Sequence, residues 1–167
     1  MKVSRRSLLL GGTAVAAIAA LYWPRRSGLS MAADETFEFQ LTDAEWQARL
    51  SPAAYKVLRQ HDTEYPGTSE LLDEHRPGIF ACAGCELPLF DAATKYDSGT
   101  GWPSFYEPLA NAVGESTDHM LGYPRTEVHC RRCGGHLGHV FDDGPQPTGL
   151  RYCMNGVALS FIPAAAA

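Results

Sequence analysis

Four cysteines stand in two matched pairs, Cys82-Ala83-Gly84-Cys85 and Cys130-Arg131-Arg132-Cys133. Zinc takes four thiolates in a tetrahedron, and a two-residue spacer lets both sulfurs of a pair reach one ion. Gly84, Gly134 and Gly135 suit the turns such knuckles need. The 44 residues between Cys85 and Cys130 would make the ion a clamp between distant parts of the chain. Two disulfides, or one redox-active pair, are the alternative. Two pairs together favour structural zinc.

The fifth cysteine, Cys153, has no sulfur partner in this scheme. It is either an inert buried thiol or a reactive one. In an extended stretch Arg151, Cys153 and Asn155 share a face, with Tyr152 and Met154 on the other. A guanidinium beside a thiol favours its thiolate, and Asn155 adds a donor and an acceptor. That polar face suits a reactive sulfur. His136 and His139 follow Cys133 by three and six residues. Four thiolates already fill a zinc site, so these histidines are better placed as an acid near Cys153, His139 in particular. In a regular strand the two would face opposite ways unless Gly138 makes a bulge. His61, His75, His119 and His129 read as ordinary satisfied histidines. Trp102, in Gly99-Thr100-Gly101-Trp102-Pro103-Ser104-Phe105, is either a loop aromatic or a core residue closing a sheet.

Helices and strands must position these groups. Thr42 and Glu45 form a capping box ahead of Trp46 and Leu50. Ser51-Pro52 starts a second helix with Tyr55 and Leu58 on one face. Ser69 to His75 reads as a short third helix stopped by Pro77-Gly78. Short apolar runs follow at 79–81, 126–129, 137–141, 151–154 and 157–162, a β pattern with tight turns. The expected architecture is two or three helices beside a compact antiparallel β domain.

The chain has 167 residues with 45% hydrophobic and 20% charged side chains, the size of one ordinary domain. No low-complexity or heptad tract is present, which argues against disordered and coiled-coil readings. Residues 1–32 hold five basic residues and no acid, leaving nine basic residues against 19 acids in the rest, a net of −10. So acidic a body is a poor partner for nucleic acid or an anionic membrane. Arg5-Arg6 precede 16 uncharged residues, Leu8 to Trp23, a run short of the roughly 20 needed to span a bilayer. Residues 1–32 therefore read as a signal peptide of twin-arginine type, cleaved near Ser30-Met31-Ala32 or kept as an anchor. A folded domain over 33–163 would be exported to a bacterial periplasm, with 164–167 as a fraying tail.

Together these segments resemble the type B methionine sulfoxide reductases. The match runs from about Phe37 to Ile162. It includes Gly78-Ile79-Phe80-Ala81-Cys82-Ala83-Gly84-Cys85, Lys95-Tyr96-Asp97-Ser98-Gly99, Gly101-Trp102-Pro103-Ser104-Phe105, His136-Leu137-Gly138-His139-Val140-Phe141 and Arg151-Tyr152-Cys153-Met154-Asn155. The resemblance implies a mainly β (α+β) fold of two antiparallel sheets, β-tent-like, with short N-terminal helices and a structural zinc on Cys82, Cys85, Cys130 and Cys133. It implies reduction of peptide- or protein-bound methionine-R-sulfoxide, with Cys153 as nucleophile and His139, Asn155 and His136 at the catalytic site. Trp102 and Arg151 are the expected substrate-binding residues.

Many family members have a second, resolving cysteine where this chain has Thr100. The expectation is therefore a one-cysteine cycle, in which an external thioredoxin-like or small thiol reduces a Cys153 sulfenic acid. Gly156 stands where the family often has serine, with a modest effect expected. The rival readings are a non-catalytic zinc-stabilised interaction module of the same fold, a zinc-ribbon nucleic-acid binder and a thiol–disulfide oxidoreductase.

Overall fold

The computed structural model describes residues 36–165. The proposed signal segment, 1–32, and the last two alanines of the expected tail lie outside them. Among the described residues no helix is long and apolar enough to cross a membrane.

Two short helices open the fold. In α1 (Asp43–Arg49) Thr42 accepts from the Glu45 amide, and the Glu45 carboxylate accepts from the Thr42 amide, closing the capping box. Ser51 caps α2 (Pro52–Gln60), whose Val57 and Leu58 are buried. The expected third helix is absent. Residues 69–75 form isolated turns, with Ser69 Oγ accepting from the Leu71 amide. The Ser69 and Leu71 carbonyls accept from the Leu72 and Glu74 amides, three residues on, so no i to i+4 ladder starts, and the serine side chain competes for the Leu71 amide.

Among the described residues nine strands follow: β1 (Gly78–Cys82), β2 (Pro88–Asp91), β3 (Lys95–Tyr96), β4 (Ser104–Phe105), β5 (Val113–Asp118), β6 (Arg125–Cys130), β7 (His136–Phe141), β8 (Arg151–Met154) and β9 (Leu159–Pro163). They make a three-stranded sheet, β2-β1-β9, and a six-stranded one, β3-β4-β8-β7-β6-β5. All pairings are antiparallel. This is the mainly β, two-sheet architecture that the resemblance implied. The last strand starts later than its apolar run, because Gly156–Ala158 form one 3-10 turn first. Ala164 is tied back by its amide to the Pro77 carbonyl at 2.9 Å.

Aromatic side chains weld the sheets. Phe90 of β2 stacks on Phe105 of β4 at 4.3 Å between ring centroids, and Phe80 of β1 meets Phe105 edge-on at 5.0 Å. All three are fully buried, each contributing about 1.5–3 kcal/mol. In β8 Tyr152 and Met154 point into this core while Arg151 and Cys153 stay half-exposed on the other face, the alternation expected from the sequence.

Candidate active site

The six-stranded sheet places Cys153 between two polar neighbours. Across β8 it pairs with His139 of β7 on one side and Ser104 of β4 on the other. A cavity of about 120 Å³ opens here, walled by Cys153, His139, Asn155, Trp102, Thr63 and Arg125, among others. Four of the residues expected at the site thus share one hollow.

The other two do not line it. His136 is buried behind His139, their rings 5.4 Å apart and edge-to-face. Arg151 forms two hydrogen bonds of 2.8 Å to the Asp143 carboxylate and lies over Phe141. The arginine in the cavity wall is Arg125.

Both histidines reach one side because β7 is bulged. Val128 pairs with Gly138 and His129 with His136, so Leu137 is the extra residue. Gly138 is needed for a different reason: a Cβ there would lie 2.1 Å from the Cys153 carbonyl oxygen. Gly138→Ala should therefore push β8 away, costing about 1–3 kcal/mol and most of the activity. Thermal melts and turnover of the variant check this.

Each histidine is held by an acid that was not evident from the chain order. His139 Nε2 lies 2.8 Å from Asp118 Oδ2, and Arg125 pairs with the same carboxylate. Hydrogen bonds from the Met120 amide and His139, then the Arg125 contact, hold the Asp118 carboxyl down at about 2, against its desolvation. Burial pushes the His139 imidazole below its ordinary value, outweighing the Asp118 hydrogen bond, and Arg125 and His136 push it the same way. His136 Nδ1 lies 2.7 Å from Glu127 Oε1, and His61 Nδ1 lies 3.0 Å from the same oxygen. Burial alone would raise the Glu127 carboxyl, but hydrogen bonds from His136, His61 and Ser116 hold it far below the carboxylate range. His61, read from sequence as ordinary, is thus the outer member of a His–Glu–His cluster, with its own value raised by the bond to Glu127.

Glu64 is the other unforeseen residue. Its carbonyl accepts from Trp102 Nε1 at 2.9 Å, and its amide donates to Asn155 Oδ1 at 2.9 Å. Its carboxylate accepts from the Gly156 amide at 2.7 Å. Asn155 Nδ2 donates to the Leu137 carbonyl. One residue therefore fixes both the indole and the amide facing the cavity. A Cβ at Gly156 would sit 1.7 Å from Ser69 Oγ. Serine at this position would thus require the 64–69 segment to move, a larger effect than the sequence suggested.

The four paired cysteines are buried, with their sulfurs within 4.8 Å of one another. Cys82 and Cys133 are 3.7 Å apart, and Cys85 and Cys130 are 3.5 Å apart. A tetrahedral thiolate site with bonds of about 2.3 Å has edges of about 3.8 Å, so the cluster fits a structural metal ion. The surroundings suit the negative charge of four thiolates. Arg49, Arg59 and Arg132 donate to the carbonyls of Gly84, Cys133 and Cys85. Each knuckle ends in a left-handed residue, Glu86 or Gly134.

A SelR domain model matches residues 50–163. A peptide methionine sulfoxide reductase MsrB of Thiobacillus denitrificans is 58% identical over 123 residues, covering 73% of this chain and 93% of its own. One from Leifsonia xyli is 55% identical over 130 residues, covering 75% and 94%. The chloroplastic peptide methionine sulfoxide reductase B1 of Arabidopsis thaliana is 51% identical over 120 residues, covering 71% and 59%. With the SelR match over most of its length and these identities, the chain belongs to the MsrB-type family of peptide methionine sulfoxide reductases.

Proposed function

We propose that this protein reduces the R epimer of methionine sulfoxide in peptides and proteins, using Cys153 as its single redox cysteine. The observation that carries this is the shared cavity: Cys153, His139, Asn155 and Trp102 wall one hollow sized for a side chain. The Cys153 thiolate attacks the positively polarised sulfur. The S–O bond breaks, oxygen passes to Cys153 with one proton, and the thioether leaves. The sulfoxide gains two electrons and Cys153 becomes a sulfenic acid. Oxygen leaves only when protonated. His139 is the proton source, with Asp118 fixing Nε2 and leaving Nδ1 for the substrate oxygen. Trp102 offers an apolar wall to the S-methyl group, a contact of up to about 1.5 kcal/mol. One external thiol then forms a mixed disulfide with Cys153, releasing water, and a second frees it. Turnover of separated R and S epimers in a peptide, with dithiothreitol, tests this reading. Reduction of R alone supports it; no reduction by the folded, metal-loaded chain favours the interaction module instead.

Thr100 Oγ1 lies 3.8 Å from Cys153 Sγ. Thr100→Cys should therefore capture the sulfenic acid, giving a disulfide after one turnover. Non-reducing peptide mapping reads it out. Absence of the 100–153 disulfide would mean that the Gly99–Gly101 loop does not serve as a resolving position.

The acid's pH dependence has a defined sign. The Asp118 carboxylate favours protonated His139, so Asp118→Asn lowers the imidazole further. The alkaline fall in kcat/KM should move to lower pH, with a loss of about tenfold per unit moved. A pH–rate profile unchanged in position would rule out His139 as the acid.

Zinc is the ion proposed for the cysteine cluster, because four buried thiolates at tetrahedral spacing suit it best. The twin-arginine-like segment supports export of the folded domain to the periplasm. Arg5→Lys with Arg6→Lys should hold the protein in the cytoplasm, read out by cell fractionation.

A further inference from the structure

The catalytic cavity is far smaller than an ordinary ligand pocket, yet it is not isolated. A hollow of about 570 Å³ shares Arg125 and Phe141 with it and extends along Tyr123 and Leu150. A second, of about 580 Å³, shares Thr63 and extends along Tyr65 and Val157. Each therefore borders the catalytic cavity through a wall of its own.

The exposed apolar side chains collect beside these hollows. Among the described residues five large hydrophobic side chains are exposed: Tyr65, Met120, Leu121, Tyr123 and Ile162. Tyr65 and Tyr123 line the two hollows. Met120 and Leu121 lie in the turn joining β5 to β6, just before Tyr123. Only Ile162 lies elsewhere. Apolar exposure concentrated on polar-rimmed grooves marks a contact surface. The first hollow also carries Glu115 and Asp142, while Arg125 is already paired with Asp118. Its free charge is therefore acidic.

We infer that the substrate binds as an extended polypeptide, with the sulfoxide side chain in the small cavity and its flanking residues in both hollows. Apolar and basic flanks are favoured. The occupant follows from continuity: the hollows share Thr63, or Arg125 and Phe141, with the cavity wall, so a chain whose sulfoxide reaches Cys153 can run on directly into either. This inference rests on the reductase reading above and goes beyond it by assigning the flanking subsites. Contacts remote from the reacting sulfur can raise kcat/KM for a long substrate relative to a truncated one.

The test uses the full chain with dithiothreitol and two R-sulfoxide substrates. One is N-acetyl-methionine sulfoxide amide; the other is an unstructured nonapeptide with the sulfoxide central among leucine and lysine. The peptide should have a kcat/KM at least about tenfold higher. Tyr65→Asp with Leu121→Asp should bring the ratio close to one, whereas Ile162→Asp should leave it as in wild type. Thermal melts establish that each variant folds; Tyr65→Gln with Leu121→Gln replaces the first if it does not. Equal kcat/KM for both substrates in the wild type would overturn the inference and leave the reductase reading standing. No reduction of either substrate would remove the reductase reading itself. A dimer in sedimentation, dissociated by Leu121→Asp with the ratio unchanged, would assign the patch to self-association and overturn the inference.

Discussion

Cys153→Ser should reduce turnover of methionine-R-sulfoxide by at least about 10³-fold in kcat. Oxygen and sulfur are close in size, so the cavity keeps its shape. The chemistry is lost for two reasons. A serine hydroxyl is not ionised near neutrality, so no comparable nucleophile faces the sulfoxide sulfur. Serine also has no stable counterpart of the sulfenic acid, so oxygen has nowhere to go. Stability should barely change. Cys153 is half-exposed and its side chain points away from the Phe80–Phe90–Phe105 core. A surface-facing change of this kind stays within about 0.5 kcal/mol. Single-turnover assays of wild type and variant, beside their melting curves, check both parts. Residual activity within tenfold of wild type would move the nucleophile to one of the paired cysteines.

Removing the metal should have the largest effect on the fold. Structural zinc sites hold their ion with an apparent free energy of about 10–16 kcal/mol, while a whole domain is stable by about 5–15 kcal/mol. Here the ion would join the end of β1 in one sheet to the end of β6 in the other, through Cys82 and Cys130. Chelation, or Cys130→Ser, should therefore abolish the cooperative thermal transition rather than shift it. Loss of near-ultraviolet ellipticity together with release of about one equivalent of zinc would show it. A chelated protein that melts within a few degrees of the original, with two disulfides by mass, would remove the metal from the account.

The sequence is legible where spacing carries the chemistry. Two Cys-x-x-Cys pairs announce a tetrahedral cluster, and the alternation from Arg151 to Asn155 identifies the face that carries Cys153. The capping box at Thr42 and Glu45 is equally local. Glu64, Asp118 and Glu127 are not legible this way. In the chain they look like ordinary surface acids, and their roles depend on pairings across β5, β6 and β7 or on a loop folded back onto Asn155. The bulge at Leu137 could be posed only as a condition, because one extra residue leaves no mark on composition. The pairing of Arg151 with Asp143 shows the same limit, since that acid lies eight residues away along the chain and beside it in space.

Pairing β1 with β9 also governs how the domain can be made. Gly78 faces Pro163 in that ladder, and Cys82 faces Leu159. The small sheet therefore cannot close until the chain through Pro163 has left the ribosome. Contacts of such long sequence separation pay their loop entropy before they return any bonding, and they slow folding. β8, which carries Cys153, is synthesised only shortly before β9. Synthesis and folding are thus nearly sequential: the Cys153 thiol comes into place late, in the same event that brings both sheets together.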